Sequence, residues 1–291
     1  MGRYDLLLGV LAGALIGPSI VIMSYVTKTV HPFVYSTIST AMAIPFLLLM
    51  AHFFSGEGLK GIFSRSRGVF FTVLFERFII ASGILLVFGV SLTLAIRSVF
   101  LVQLEPAFVF AWSVLLLKEK VRKSKLFLIA TLVIGAFLVT TGGNLNVFES
   151  VMLGDMLIII ALVLLSHSYL ASAKLMKYSN PLKLYFGFAV CASPVYFVLA
   201  LLFLPLSAFI ISGYNLFLIA VASLLFNLMG LPLWLICLKR LKPWVLASSL
   251  IVQTLAGAVL SFLWLGQTLT AVQLIGGALV LISVYFIGMR G

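Results

Sequence analysis

The chain has 291 residues, of which 63% are hydrophobic and only 9% are charged. A soluble domain carries roughly 25% charged and 45–50% apolar residues, so this composition excludes a soluble globular protein and indicates an integral membrane protein. The net charge of +12 would suit nucleic-acid binding in a soluble protein. Here the cations form short clusters between apolar runs, which is typical of topology determinants and contacts with anionic lipids, so we expect no nucleic-acid partner.

Ten apolar runs follow one another along the chain, and each approaches the roughly 20 residues that a membrane-spanning helix needs. The connections between them are mostly short and carry Gly, Pro, Asn or charged residues. The first run is longer than a signal-peptide core, so we expect it to be retained as a helix. In chain order the predicted spans are Leu6–Val26, Pro32–Phe53, Phe70–Leu94, Val99–Leu117, Lys125–Thr141, Gly154–Lys174, Leu182–Leu204, Tyr214–Leu238, Trp244–Leu265 and Ala271–Met289.

The distribution of Lys and Arg predicts the orientation of these spans. If the N-terminus is cytoplasmic, 17 of the 19 Lys and Arg residues fall on the cytoplasmic side, and only Lys28 and Arg97 fall outside. Because cationic loops remain cytoplasmic, we predict a multi-pass plasma-membrane protein with both termini in the cytoplasm.

The sequence also predicts an internal duplication. The second span opens with His31-Pro32 and the seventh with Asn180-Pro181, 149 residues later, while Leu117–Val121 corresponds to Leu265–Leu269 at an offset of 148. Each half then holds five spans. Because five is odd, the two halves must be inverted relative to each other, an arrangement typical of secondary transporters.

Matched connections differ in charge, as inversion requires, because they face opposite compartments. The connection after the fourth span carries five cations, whereas its counterpart, Leu265–Ala271, carries none. We therefore predict an all-α membrane fold of ten helices around a central cavity, with one five-helix repeat over residues 1–143 and an inverted one over residues 150–291.

Several segments resemble the EamA family of the drug/metabolite transporter superfamily. They are Leu104-Glu105-Pro106-Ala107-Phe108, Leu117–Val121, Leu126–Gly135, Ser166–Tyr169 with Lys174–Met176, and Ala256–Gly277. The resemblance implies ten helices around a central cavity and the export or uptake of amino acids and other metabolites. The chain departs from the family pattern at Gln267, at Thr254 and in the second span. The second span lacks the Arg that the family often has, and Ser36, Thr37 and Ser39 occupy that region.

Ionisable residues inside predicted spans are functional candidates because they cost about 2.5–3.5 kcal/mol each on insertion scales. Glu76 and Arg77 in the third span could line the cavity, with Glu76 binding an ammonium group or a proton, or they could face water at a helix end. Glu105 in the fourth span could carry a proton beside the break that Pro106 introduces. Alternatively, Glu105 is a structural carboxyl group or a partner of Arg97.

Polar and helix-breaking residues supply the remaining candidates. His167 could line the cavity or shuttle a proton, or simply bind a neighbouring helix. Breaks near the membrane midplane are frequent at transporter binding sites. The candidates for polar groups in the cavity are Ser19, Asn227 and Gln253. The candidates for helix breaks are Pro18, Pro106 and Pro232. We expect an aromatic belt at the membrane interfaces, formed by Tyr25, Trp234, Trp244 and Trp264.

These observations predict a secondary transporter, or permease, for small organic metabolites, amino acids or related compounds, which works by alternating access. A multidrug or lipid exporter of the same superfamily is the alternative. We find no catalytic motif and no nucleotide-binding loop, so we expect neither an enzyme nor a cofactor nor a bound metal. The predicted partners are a small-molecule substrate and the lipid bilayer, and proton coupling and a homodimer are left open.

Overall fold

A computed structural model describes residues 3–54, 69–117, 123–143, 153–175, 180–241, 246 and 251–289. Within these ranges the chain forms ten membrane-type helices and no strand. The helices are α1 (Arg3–Val26), α2 (Pro32–Phe54), α3 (Val69–Ser91), α4 (Ala95–Leu101, the 3-10 turn Val102–Leu104 and Glu105–Leu117), α5 (Lys123–Thr141), α6 (Leu153–Leu175), α7 (Pro181–Phe203), α8 (Gly213–Ser223, the π-helical segment Leu224–Gly230 and Leu231–Leu238), α9 (Ile251–Leu265) and α10 (Ala271–Met289).

Length and hydropathy qualify five of these helices as candidate membrane spans. They are Leu7–Val26, Pro32–Phe54, Ala95–Leu116, Pro181–Phe203 and Gly213–Leu238. The other five helices contribute shorter apolar stretches among the described residues, such as Ile79–Ser91 and Leu126–Thr141. The prediction of ten helices is therefore confirmed.

The second helix of each predicted repeat begins in the same way. Pro32 and Pro181 each occupy the first helical position, where the missing backbone N–H would have no intrahelical partner in any case. The residue before each proline supplies a cap, because the Phe33 backbone N–H donates to His31 Nδ1 at 3.3 Å and the Leu182 N–H donates to Asn180 Oδ1 at 2.9 Å. The His-Pro and Asn-Pro pairs thus set the starts of α2 and α7.

Two helices depart from regular α geometry next to a proline. In α4 a 3-10 turn ends at Leu104, two residues before Pro106, and in α8 a π-helical segment ends at Gly230, two residues before Pro232. A proline removes a backbone donor and crowds the preceding turn, which favours such local changes. By contrast, α1 is helical without interruption through Pro18.

The most extensive helix contacts each join one helix of residues 3–141 to one of residues 153–289. The pairs are α1 with α8 and α9, α2 with α7 and α8, α3 with α6, α4 with α6 and α9, and α5 with α10. The core of the bundle therefore lies between the two halves of the chain rather than inside either half.

Glycines allow the backbones of three of these pairs to touch. The crossings pair Gly17 with Gly257 in α1 and α9, Gly89 with Gly154 in α3 and α6, and Gly135 with Gly276 in α5 and α10. A Cβ atom on Gly154 would lie 2.5 Å from the Gly89 carbonyl oxygen, and one on Gly276 would lie 2.7 Å from the Gly135 carbonyl oxygen. No side chain fits at these points, and small residues are the usual means of close helix approach in membranes.

One end of the bundle is held by hydrogen bonds between connections, and we call it the Lys28 end. Lys28 Nζ donates to the Ser91 carbonyl oxygen at 2.6 Å, Asn215 Nδ2 donates to Thr29 Oγ1 at 3.0 Å, and the Ile96 backbone N–H donates to Gln267 Oε1 at 3.0 Å. The Lys28 ammonium thus satisfies a carbonyl at the C-terminus of α3, where the helix itself offers no partner. The connections after α1, α3, α7 and α9 therefore meet at this end.

Replacement of Gly154 by alanine is expected to destabilise the bundle. The new methyl group would overlap the Gly89 carbonyl, which forces α3 and α6 apart, and overpacking of this kind costs about 1–3 kcal/mol. Thermal unfolding in detergent should show a lower melting temperature for Gly154→Ala. The matched control is Gly213→Ala, where nothing lies within 4 Å of the added Cβ atom; equal melting temperatures for the two variants would contradict the role of the crossing.

Candidate functional site

A cavity of about 170 Å³ lies between helices of both halves. Its wall is mainly apolar and aromatic, with a few polar groups, which is the usual composition of a small-molecule site. The lining residues are Ile16, Ser19, Ile20, Met23, Tyr35, Ser36, Ser39, Thr40, Ile79, Ser82, Gly83, Leu86, Val87, Val102, Glu105, Leu162, Leu165, Tyr185, Phe188, Tyr196, Phe226, Asn227, Leu231, Trp234, Leu235 and Gln253.

Four of the polar residues singled out in the sequence line this cavity: Ser19, Glu105, Asn227 and Gln253. Glu105 begins the second helical segment of α4, directly after the 3-10 turn, and it is 4% exposed. The Ser19 hydroxyl donates to the Ile16 carbonyl oxygen at 2.6 Å. These residues come from α1, α4, α8 and α9, so the fold gathers polar groups that are far apart in the sequence.

Asn227 is the centre of a hydrogen-bond network that joins the two halves at the cavity wall. Its Oδ1 accepts from the Tyr185 hydroxyl at 2.6 Å, and its Nδ2 donates to Ser39 Oγ at 3.0 Å and to Ser223 Oγ at 3.2 Å. The Ser223 hydroxyl in turn donates to the Ser39 carbonyl oxygen at 2.6 Å. The network connects α2, α7 and α8, and Asn227 lies within the π-helical segment, a feature that is frequent at functional sites.

The aromatic part of the wall was not predicted from the sequence. It comprises Tyr35, Tyr185, Phe188, Tyr196, Phe226 and Trp234. Tyr196 has room for its hydroxyl because Gly83 faces it without a side chain, and a Cβ atom there would lie 2.7 Å from that oxygen. The prediction that Trp234 belongs to an interfacial belt is wrong, since this residue is 2% exposed and lines the cavity. The residues next to Trp234 in the sequence are apolar, so they do not show whether its side chain lines a cavity or contacts lipid.

The other predicted residues have different positions. His167 is absent from the cavity lining, and its ring contacts that of Trp112 at a centroid distance of 5.1 Å. Glu76 and Arg77 lie within α3, but their side chains fall outside the described part of the chain. Each of the three predicted helix-break prolines directly follows or precedes a lining residue, in the pairs Pro18-Ser19, Glu105-Pro106 and Leu231-Pro232.

Arg97 binds Asp155 at the Lys28 end. Arg97 Nη1 lies 3.3 Å from Asp155 Oδ2, and the Thr93 hydroxyl donates to Asp155 Oδ1 at 2.6 Å. Asp155 has no exposed surface, and Arg97 is 8% exposed. The ion pair ties α4 to the start of α6, one helix from each half of the chain.

Comparisons with known proteins agree with this fold. The chain is similar to a protein of known crystal structure, with a TM-score of 0.72 and 14% sequence identity over 98% of this chain and 96% of that one. At this identity the likeness shows the fold alone. A comparison with curated protein sequences finds no match. The profile of the EamA-like transporter family matches residues 4–141.

The EamA-like transporter family is thus recognised in residues 4–141, just under half of the chain. The resemblance read from the sequence motifs is confirmed over these residues. Members of this family are transporters of the drug/metabolite transporter superfamily rather than enzymes, and the match together with the apolar helices supports a multi-pass membrane protein. Its environment is the lipid bilayer, and a small molecule is the substrate that family membership implies.

The ion pair of the EamA-like chain gives a direct test of how its halves are joined. Asp155→Asn should lower the free energy of unfolding by about 3–5 kcal/mol, because removal of one partner leaves a buried, uncompensated charge. The double variant Arg97→Met with Asp155→Leu removes both charges and should regain most of that loss. Thermal unfolding of Arg97→Met, Asp155→Leu and the double variant measures the coupling, and additive losses would show that the pair does not act as a unit.

Proposed function

We propose that this protein is a secondary transporter of small organic metabolites, amino acids or related compounds, and that it works by alternating access between two inverted five-helix halves. The observation that carries the proposal is the cavity, whose walls come from both halves of a chain in a transporter family. A site shared by two halves can be exposed to either side of the membrane when they rock against each other.

The pattern of helix packing supports the inverted halves, residues 1–143 and 150–291. The predicted duplication relates each helix to the one five helices away in the chain. If related helices are exchanged, the pair α1–α8 becomes α6–α3 and the pair α1–α9 becomes α6–α4. Both members of each set are major contacts. The pairs α2–α7, α4–α9 and α5–α10 convert into themselves, as pairs on a two-fold axis must. The pair α2–α8 is the exception, because its counterpart α3–α7 is a weaker contact. A permutation that preserves most of the main contacts is the expected result of a duplicated unit.

The contacts at the Lys28 end support the predicted alternation of the helices. The connections that meet there follow α1, α3, α7 and α9, and the charge distribution assigns all four to the outer side. We propose that this end faces away from the cytoplasm and that both termini are cytoplasmic.

Accessibility labelling tests this orientation. In a background with Cys191→Ala and Cys237→Ala, single cysteines at Lys120 and Lys239 should react with a membrane-impermeant reagent only after the cells are opened, whereas Gly213→Cys should react in intact cells. Gly213 is exposed and has open space around it. Labelling of positions 120 and 239 from opposite sides would overturn the inverted arrangement.

We also propose that Glu105, with Glu76 as the second candidate, carries a proton that is coupled to transport. Glu105 supplies the carboxyl group of the described cavity wall and is only 4% exposed. A group of this kind can exchange a proton for a substrate as the cavity changes sides.

Transport in proteoliposomes is the measurement. Solute movement should proceed without ATP, and Glu105→Gln should lower the rate at least about tenfold and flatten its pH dependence, since a proton-transfer group contributes roughly 10²–10⁴-fold where it acts. Glu57→Gln, in the segment between α2 and α3, is the control and should leave both properties unchanged. If Glu105→Gln and Glu76→Gln both retain the rate and the pH profile of the parent, the proton site is wrong.

A multidrug or lipid-type exporter of the same superfamily is the second candidate. The apolar and aromatic character of the cavity wall favours it, because such walls accept diverse apolar bodies without specific polar contacts. Resistance assays and lipid-scrambling assays distinguish this candidate from a metabolite carrier.

A further inference from the structure

Two carboxamide side chains in the cavity wall, those of Asn227 and Gln253, differ in their hydrogen bonds. The Asn227 amide is bonded on both sides, by the Tyr185 hydroxyl and by serine hydroxyls of α2 and α8. The Gln253 side chain is 2% exposed and makes no hydrogen bond within the part of the chain that the structure describes. A buried amide without a protein partner is destabilising, so Gln253 is suited to bind a polar group of a solute.

Other hydrogen-bond donors of the wall are bonded to protein acceptors. The Ser19 and Ser82 hydroxyls donate to carbonyl oxygens of their own helices at 2.6 and 2.9 Å. The Tyr185 hydroxyl and the Asn227 amide donate within the network around Asn227. The hydroxyl oxygens can still accept a hydrogen bond, whereas Gln253 Nε2 offers two N–H donors. A solute group that only accepts hydrogen bonds therefore finds its donor at Gln253.

Gln253 lies where the backbones of the two halves touch. Its carbonyl oxygen faces Gly17 of α1, and a Cβ atom on Gly17 would overlap that oxygen. Glu105 and Gln253 are related by the offset of 148 residues that the predicted duplication gives, and both line the cavity. Under this duplication they occupy equivalent places in α4 and α9. A solute held between the two halves therefore lies next to Gln253.

A carboxylate is the solute group that suits this arrangement. An ionised carboxylate only accepts hydrogen bonds, and N–H donors bind an ionised acceptor roughly twice as strongly as a neutral one. Among the described lining residues there is no Lys, Arg or His. In an amino acid the ammonium group of the same molecule compensates the carboxylate, so a neutral donor in the wall is sufficient. A net anion has no such internal compensation.

We propose that Gln253 recognises the carboxylate of an amino-acid substrate through hydrogen bonds from Nε2. The inference rests on the transport function proposed above and specifies one residue that determines its selectivity. Gln253 distinguishes an amino acid from an amine that has the same apolar body but no carboxylate. The apolar and aromatic residues of the wall contact that body in both compounds.

Two pairs of probes that differ only in the carboxylate test the assignment: leucine with 3-methylbutylamine, and phenylalanine with 2-phenylethylamine. Their bodies suit the cavity, since a void of about 150 Å³ holds one benzene ring and this cavity is about 170 Å³. Affinity for the purified protein is measured by calorimetry at one pH and one salt concentration. Each amino acid should bind at least about tenfold more tightly than its amine. Equal or tighter binding of the amines, or no binding of either amino acid, would overturn the proposal.

Substitutions of Gln253 identify the donor. Gln253→Met keeps the length of the side chain and should weaken amino-acid binding about ten- to hundredfold, the range for a lost hydrogen bond to a charged group, while the amines stay within about threefold. Gln253→Glu keeps the shape, removes the N–H donors and should weaken amino-acid binding at least as much. Unchanged amino-acid affinity in both variants, or equal losses for amino acids and amines, would contradict a bond to the carboxylate.

Gln273→Met is the matched control for the same chemical change. The Gln273 amide lies outside the cavity lining and donates to the Val139 carbonyl oxygen at 3.0 Å. This variant should bind all four probes with the affinities of the parent. A loss in Gln273→Met as large as that in Gln253→Met would show that the effect does not arise in the cavity and would overturn the assignment.

Melting temperatures separate recognition from a structural role. Gln253→Met should melt at the temperature of the parent or higher, because the variant removes a buried amide that has no protein partner. Asn227→Leu should melt at a lower temperature, since it leaves the partners of Asn227 without their bonds. A Gln253→Met variant that is destabilised as much as Asn227→Leu would assign Gln253 to the framework of the bundle and refute the proposal.

Transport measurements distinguish failure of this inference from failure of the transport function. Amino-acid binding in detergent that depends on Gln253, without movement of any solute across proteoliposome membranes, would refute the transporter and leave the recognition intact. Transport of leucine or phenylalanine by Gln253→Met with the KM of the parent would refute the recognition and leave the transporter intact.

Discussion

Direct contact between backbones at three glycine crossings is the constraint on which the rest of the structure depends. Apolar side chains gain little free energy when they leave the bilayer to pack against another helix. Helices in lipid therefore associate through close packing and polar contacts. The crossings of Gly17 with Gly257, Gly89 with Gly154 and Gly135 with Gly276 supply that close packing, and each joins the two halves of the chain. Their positions fix the spacing of the helices, and the cavity is the space that remains where no such crossing occurs.

Several polar groups of the bundle are paired with one another, as the apolar surroundings require. At the Lys28 end, Arg97 and Asp155 compensate each other, and Thr93 satisfies a further carboxylate oxygen. In the middle of the bundle, Asn227 satisfies neighbouring hydroxyl groups across the two halves. Buried polar groups that are paired with one another therefore hold the two halves of the chain together.

The sequence predicted the number of helices and several cavity residues because charge and proline stand out against an apolar background. Glu105, Asn227 and Gln253 are conspicuous in apolar runs, and the His31-Pro32 and Asn180-Pro181 pairs mark helix starts that the structure contains. Trp234 and the cavity tyrosines could not be predicted in the same way. A membrane helix is apolar on the face toward lipid and on the face toward this cavity, so the alternation that reveals the core of a soluble protein is missing.

The wide turn of α8 has a consequence for which residues meet the solute. A π-helical segment such as Leu224–Gly230 accommodates one residue more than an α-helix of the same length would, and each residue of an α-helix turns the chain by about 100°. Removal of one residue from this segment would rotate everything that follows by that angle. Trp234 and Leu235 would then turn away from their present positions in the cavity wall. The π-helical segment thus sets the rotation of the residues that follow it in α8. It thereby determines which face of this helix lines the cavity.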